Sequence, residues 1–201
     1  DDQGDLGVVF FHNEGYSTAC GHGTIALVTW ALETGVLPRK EPETSVVVDV
    51  PSGRLETVAR VDGDDVVWVR FRNVPSFVHA TGLRVETSAG TVTTDVSFGG
   101  AFYASVDATS VGLPVEPGNL TRLIELGREV KQAVMRDHDI AHPDEPRLRD
   151  IYGTIFFERL PDDGERLCQR NVTIFADGEV DRSPCGSGTS ARCALLVADG
   201  L

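Results

Sequence analysis

Short runs of alternating apolar and polar residues, broken by clusters of Gly, Asp and Pro, fill most of the chain, and three stretches carry helical spacing instead. Residues 6–11 predict a short apolar strand leading into a loop at 13–19. Residues 21–32 are apolar on nearly every side, which predicts a buried helix ended by Gly35 and Pro38. Strands follow at 45–50, 54–61 and 66–72, the last two joined across Asp62-Gly63-Asp64-Asp65, a hairpin signal. A second set of strands covers 83–87, 91–97 and 101–106. Residues 119–140 place Leu120, Leu123, Ile124, Gly127, Val130 and Val134 on one side with charges between them, an amphipathic surface helix with Asn119 as its N-cap. Strands at 151–157 and 170–175 flank a polar loop at 161–165, and a last helix opens near residue 186.

Hairpins followed by a helix, twice over, predict an α+β protein of two similar halves, 1–79 and 80–201. The composition is that of an ordinary globular chain, 41% apolar and 24% charged. A net charge of −13 leaves no basic surface for nucleic acid. No apolar run is long enough to span a bilayer, and no positively charged start leads into an apolar segment. The four cysteines have no paired spacing, so reduced thiols and a cytoplasmic setting are expected. No Cys-x-x-Cys element argues for zinc. Cys168 and Cys193 read as packing residues.

One five-residue pattern occurs twice. Cys20-Gly21-His22-Gly23-Thr24 is echoed by Cys185-Gly186-Ser187-Gly188-Thr189, and each opens a predicted helix. Backbone N–H groups at a helix start bind anions, and the positive end of the helix dipole favours thiolate over thiol. Two such starts could hold one carboxylate and put one sulfur on each face of its α-carbon. A pyridoxal electron sink is not indicated, because Lys40 lies in a Pro/Glu loop and Lys131 on the surface helix. Proton abstraction without a cofactor would rely on helix-terminal N–H groups and a well-placed base, for which a thiol is suited.

These residues carry a resemblance. Residues 17–24, Ser-Thr-Ala-Cys-Gly-His-Gly-Thr, and 181–189, Asp-Arg-Ser-Pro-Cys-Gly-Ser-Gly-Thr, resemble the two signature motifs of the proline racemase family, which includes 4-hydroxyproline 2-epimerases and trans-3-hydroxy-L-proline dehydratases. Asn13-Glu14-Gly15-Tyr16, Ser97-Phe98-Gly99-Gly100, Ile151-Tyr152-Gly153-Thr154 and Phe175-Ala176-Asp177-Gly178 extend the likeness along the chain. Ala19 departs from it, since a Met or similarly bulky residue is expected before the first Cys. The resemblance implies the diaminopimelate-epimerase-like architecture: two pseudo-symmetric domains, each a curved, mainly antiparallel sheet around a central helix. It implies Cys20 and Cys185 as the acid–base pair, with no cofactor. Gly21, His22, Gly186 and Ser187 would bind the carboxylate, the His22 ring would also reach the amine, and Asp181 would take the substrate ammonium. Arg182 is read as a structural ion pair, and Phe102, Tyr103, Phe156 and Phe157 as sheet core, one of which could line the pocket. The expected partner is a small imino acid, proline or hydroxyproline, and a homodimer is the assembly considered. Proteins of this kind run further at both ends, so a piece of a longer protein is expected.

Other readings stay open at this stage. Two thiols imply a racemase or epimerase, whereas residues 15–18, 99–104 and 151–154 resemble the dehydratase branch more closely, in which Thr or Ser commonly replaces the second thiol. A non-catalytic imino-acid-binding protein would need the pocket but not two opposed thiols. A cysteine hydrolase would need a partner among His79, His138 and His142, which sit in no recognisable motif. A phosphate-binding module lacks the Gly-x-x-x-x-Gly-Lys pattern.

Overall fold

The computed structural model describes residues 3–12, 14–164 and 166–201. Its chain divides into two compact units, Asp1–Pro75 and Ser76–Leu201. Asn13, quoted above for the resemblance, and Glu165, at the end of the expected polar loop, lie outside the described residues.

In the first unit the strands β1 (Leu6–Gly7), β4 (Glu43–Val50), β5 (Gly53–Asp62) and β6 (Asp65–Arg72) form one sheet in the order β1-β4-β5-β6. β1 runs parallel to β4, and the other pairs are antiparallel. Period-two alternation turns Val46, Val48 and Val50 of β4 and Leu55 and Ala59 of β5 to one face. The helix α1 (Gly21–Glu33) lays Val28 and Leu32 on that face. Full burial of one such side chain stabilises the unit by about 1.5–3 kcal/mol. The helix therefore precedes its meander here, rather than following the hairpins. It is also covered on one side only: Thr24, Val28, Ala31 and Leu32 are buried, while Ile25 and Trp30 are exposed. An apolar helix stacked on a single sheet face has only that face to bury. The expected loop after residue 12 contains a strand, β3 (Gly15–Ser17), pairing with β2 (Phe10–His12).

The second unit holds a six-stranded sheet in the order β12-β11-β10-β9-β8-β7. Its strands are β7 (Phe77–Thr87), β8 (Gly90–Phe98), β9 (Phe102–Asp107), β10 (Ile151–Asp163), β11 (Arg166–Phe175) and β12 (Glu179–Val180). All neighbours are antiparallel except β9 and β10, which run parallel and so need a long crossover. That crossover carries the helix α2 (Leu120–Asp137). Thr154 Oγ1 donates to the Gly127 carbonyl of α2, while the next residue, Ile155, packs beside Cys185 at the start of the helix α3 (Gly186–Ala198). Successive strand residues point to opposite faces, so α2 and α3 cover opposite sides of the sheet. Five consecutive buried residues, Phe102 to Val106, follow from that double cover.

Three local expectations change. Asn119 does not cap α2: its side-chain amide donates to the Pro114 carbonyl and to Glu116, closing the turn before the helix. The helix stops at Asp137 rather than residue 140, because His138 is extended. Residues 161–163 belong to β10, so the polar loop shrinks to a tight turn at Gly164 beyond a strand irregularity between Leu160 and Asp163. Gly127 sits inside α2, where glycine costs about 1 kcal/mol against alanine. A methyl group there would lie 2.9 Å from Ile174 Cβ, so close contact with β11 explains it. No helix among the described residues is long and apolar enough to cross a membrane.

Candidate active site

Cys20 and Cys185 occupy the same local position in the two units: each is the N-cap of its helix, α1 or α3. The Thr24 N–H donates to the Cys20 carbonyl at 2.9 Å and the Thr189 N–H to the Cys185 carbonyl at 2.7 Å, the first helical bond in each case. The first N–H groups of a helix have no partner within it. Neither first turn contains an acidic residue to offset the positive end of the helix. Each sulfur folds over the third helical residue, and that residue is glycine both times. A methyl group at Gly23 would lie 2.9 Å from Cys20 Sγ and 3.1 Å from the Phe10 ring. One at Gly188 would lie 3.1 Å from Cys185 Sγ and 3.2 Å from Ile155. The repeat is thus a geometric device: cap position for the thiol, bare backbone beneath it.

Around the sulfurs the two starts differ. Cys20 is half-buried, and the residue two positions on, His22, is exposed. Cys185 is buried, at 8% exposure, and the corresponding residue, Ser187, is buried as well. Burial pushes the Cys185 thiol above its ordinary value, and the nearby Asp181 carboxylate pushes the same way. Hydrogen bonding from Tyr103, the Gly188 N–H and Ser187 opposes the rise without cancelling it. The Tyr103 hydroxyl, reaching across from β9, lies 3.4 Å from Cys185 Sγ and 2.8 Å from Ser187 Oγ.

The remaining candidates fall into place around α3. Asp181 Oδ1 accepts from the Ser183 N–H and hydroxyl, an Asx turn that leads the chain into Pro184 and Cys185. Gly186 is exposed beside the sulfur. The Ser97–Gly100 segment has its reason here, because a side chain on Gly99 would collide with the Ser187 carbonyl and the Ala191 nitrogen. Further along α3, the buried Arg192 guanidinium stacks on the Phe157 ring at 3.6 Å and donates to Gln169. Phe102 and Phe156 are core residues as expected. Tyr103 is core too, but its hydroxyl touches the thiol, a role the sequence reading missed. A phenol in the middle of an apolar strand was the available signal, since a buried tyrosine hydroxyl needs a partner. Cys193 is exposed on α3, against the packing role expected of it, and Cys168 is half-buried on β11. Arg182 is exposed, and the ion pair expected for it is not formed among the described residues. Among the described residues no group of His, Cys, Asp and Glu could hold a metal ion.

The family profile described as "Proline racemase" matches residues 1–201. The chain belongs to the proline racemase family. It is 48% identical over 198 residues to a 3-hydroxyproline 2-epimerase of Burkholderia multivorans, covering 98% of this chain and 58% of that protein. Identity and coverage are the same for a trans-3-hydroxy-L-proline dehydratase of Azospirillum brasilense. The chain thus spans little more than half the length of the curated relatives it matches. Among solved structures, a hydroxyproline epimerase from Agrobacterium vitis with bound trans-4-hydroxy-L-proline matches with a TM-score of 0.89 and 34% identity, over 100% of this chain and 58% of that one. A probable proline racemase from Agrobacterium radiobacter K84 with bound carbonate gives 0.85 and 31%, over 96% of this chain and 56% of that one. The fold is accordingly the α+β, diaminopimelate-epimerase-like fold of this family.

Proposed function

We propose that this protein is a cofactor-independent racemase or epimerase of proline or hydroxyproline. Cys20 and Cys185 would move the α-proton as an acid–base pair. The observation that carries the reading is the shared geometry of the two thiols, each capping a helix over a bare glycine. Inverting a stereocentre requires an acid and a base on opposite faces of the α-carbon, and the roles swap with the substrate's handedness. Burial raises the Cys185 thiol above its ordinary value, which favours it as the acid in one direction of the reaction. The N–H groups of Gly21, His22, Gly186 and Ser187 would bind the carboxylate, whose charge grows as the proton leaves. Asp181 would meet the ammonium. The trans-4-hydroxy-L-proline bound by the Agrobacterium vitis relative supports the imino-acid class.

A second reading has its own support. Tyr103 lies in the segment that resembles the dehydratase branch, and it touches Cys185. A relative at 48% identity carries the dehydratase name. In that reaction Cys20 would remove the α-proton and Cys185 would protonate the departing 3-hydroxyl, which leaves as water. The deciding experiment incubates the purified enzyme with L-proline, trans-4-hydroxy-L-proline and trans-3-hydroxy-L-proline in deuterated water. The proposal expects α-deuteration and the opposite α-configuration. A cyclic imine from the 3-hydroxy substrate, with the other two untouched, establishes the dehydratase. Binding without any exchange leaves an imino-acid-binding protein, which is also the reading with no cytoplasmic enzyme in it. Sedimentation of the same sample distinguishes a homodimer from a monomer.

A further inference from the structure

Three groups that can each donate and accept a hydrogen bond meet beside the start of α3. Tyr103 Oη is 2.8 Å from Ser187 Oγ and 3.4 Å from Cys185 Sγ, and Sγ to Oγ is 3.9 Å. The phenol arrives from β9, pinned between β8 through Ser97 and β10 through Gly153, and its ring stands edge-on to Tyr152. It is wholly buried, so its hydroxyl has no water to turn to.

We propose that Tyr103 is the positioning residue of Cys185, holding the sulfur over the helix start in both of its protonation states by reversing the direction of one hydrogen bond.

With Cys185 as thiol, three protons serve three atoms. Sγ–H donates to Tyr103 Oη, Oη–H to Ser187 Oγ, and Oγ–H turns back towards the sulfur over the long side. With Cys185 as thiolate, two protons remain and both run the other way. Ser187 Oγ–H donates to Tyr103 Oη, and Oη–H donates to the sulfur anion. No heavy atom moves: the thiol gives up its proton, both hydroxyls keep theirs, and the two hydroxyl hydrogens rotate. Neither state leaves Tyr103 Oη without a partner, which matters because an orphaned buried hydroxyl is destabilising. Burial, then the neighbouring sulfur, raises the phenol's own ionisation well above the ordinary value, which keeps it in its hydrogen-bond-donating form.

This arrangement answers a physical problem of the site. Burial and the Asp181 charge both disfavour thiolate, and the groups that face the sulfur and favour it are Tyr103, Ser187 and the Gly188 N–H. Tyr152 stands edge-on to the Tyr103 ring. A hydrogen bond to a charged group contributes about 1.5–3 kcal/mol, equivalent to about one to two pKa units. Tyr103 is thus the side chain that limits how far burial suppresses the anion. At the first helix start His22 replaces Ser187, so the device belongs to one thiol of the pair.

The inference deepens the reading of Cys185 as an acid–base residue, but its test needs no turnover. In a background where Cys20, Cys168 and Cys193 are replaced by Ser, alkylation of Cys185 by iodoacetamide is followed from about pH 6 to about pH 11, spanning the usual thiol range. Tyr103→Phe keeps the ring and its packing and removes only the hydroxyl. The expected result is a labelling midpoint raised by about one unit or more, with about tenfold slower labelling at any pH below it. Ser187→Ala, which leaves the phenol without its clamp, should shift the midpoint in the same direction by less. If Tyr103→Phe does not fold, judged by circular dichroism, the Ser187→Ala shift decides. An unchanged or lowered midpoint in the folded variant overturns the proposal, since a purely structural tyrosine would not move a titration. A shifted midpoint in an enzyme that exchanges no α-proton would refute the proposed activity and leave this coupling standing.

Discussion

At the start of α1 a half-buried sulfur and the Phe10 ring both crowd the space over Gly23, with an exposed imidazole two residues on. At the start of α3 a buried sulfur rests against Ile155, with a hydroxyl two residues on that is tied to a buried phenol. The backbone device is the same in both: cap position for the thiol, glycine under the sulfur. The surroundings set the chemistry apart. A helix end by itself favours the anion, while burial favours the neutral thiol, and for Cys185 burial outweighs the rest. A repeated sequence motif can therefore encode one geometry twice and still place its two thiols in different surroundings.

The largest effect expected from breaking this comparison comes from the sulfurs. Cys20→Ser and Cys185→Ser should each lower α-proton exchange by about 10²–10⁴-fold, the usual contribution of a positioned acid or base, because a serine hydroxyl is too weak an acid and base. Retention of most activity by either variant, measured by deuterium incorporation, removes the two-thiol mechanism. Next come the glycines. Gly23→Ala and Gly188→Ala put a methyl group into the space of the sulfur, and a displacement near 1 Å costs about 10²-fold in rate. Gly23→Ala should be the worse of the two, having the closer contacts with both sulfur and ring. Equal, near-native rates would show that the sulfurs need no bare backbone beneath them.

A smaller effect sharpens the contrast through pH. Because the Cys185 value is raised, its thiolate is scarce at neutral pH and accumulates only as pH climbs past the ordinary thiol range of about 8.5. Iodoacetamide labelling of Cys185 should accelerate about tenfold per unit over that climb, and a plateau already reached at neutral pH would contradict the burial argument. Pyrrole-2-carboxylate, a planar mimic of the deprotonated substrate, should slow labelling of Cys20 and Cys185 together. The smallest effects belong to Cys168→Ser and Cys193→Ser. Both residues are at least partly exposed and away from the helix starts, so exchange rates should stay within about twofold, in line with surface substitutions.

Much of the fold was legible because its elements are long enough to show a period. β4 and β5 alternate cleanly, and α2 keeps its apolar positions on one side. What was not legible is short or decided at a distance. Three residues of β3 are too few for a pattern, and its pairing with β2 is visible only in space. Asn119 has the chemistry of a cap, but Pro114 and Glu116 compete successfully for its amide. At the candidate site the two cysteines and their glycines were found from sequence, because a repeated motif survives without coordinates. Tyr103 was not. Nothing local distinguishes it from Phe102, and its hydroxyl acquires meaning only from residues 82 and 84 positions away.

That separation has a consequence for how the molecule comes to exist. β9 can join β10 only after the chain between residues 107 and 151 has closed on itself, a slow, non-local event compared with forming a hairpin or a turn of helix. α3 lies later still in the chain, and its first turn must dock against Gly99 before the phenol and the sulfur meet. Until then Cys185 is an ordinary solvated thiol on an unfinished polypeptide, open to oxidants and to other thiols. The buried, tyrosine-bound sulfur is a property acquired at the last stage of assembly. A chain that stalls before it would carry the right residues and none of their tuned reactivity.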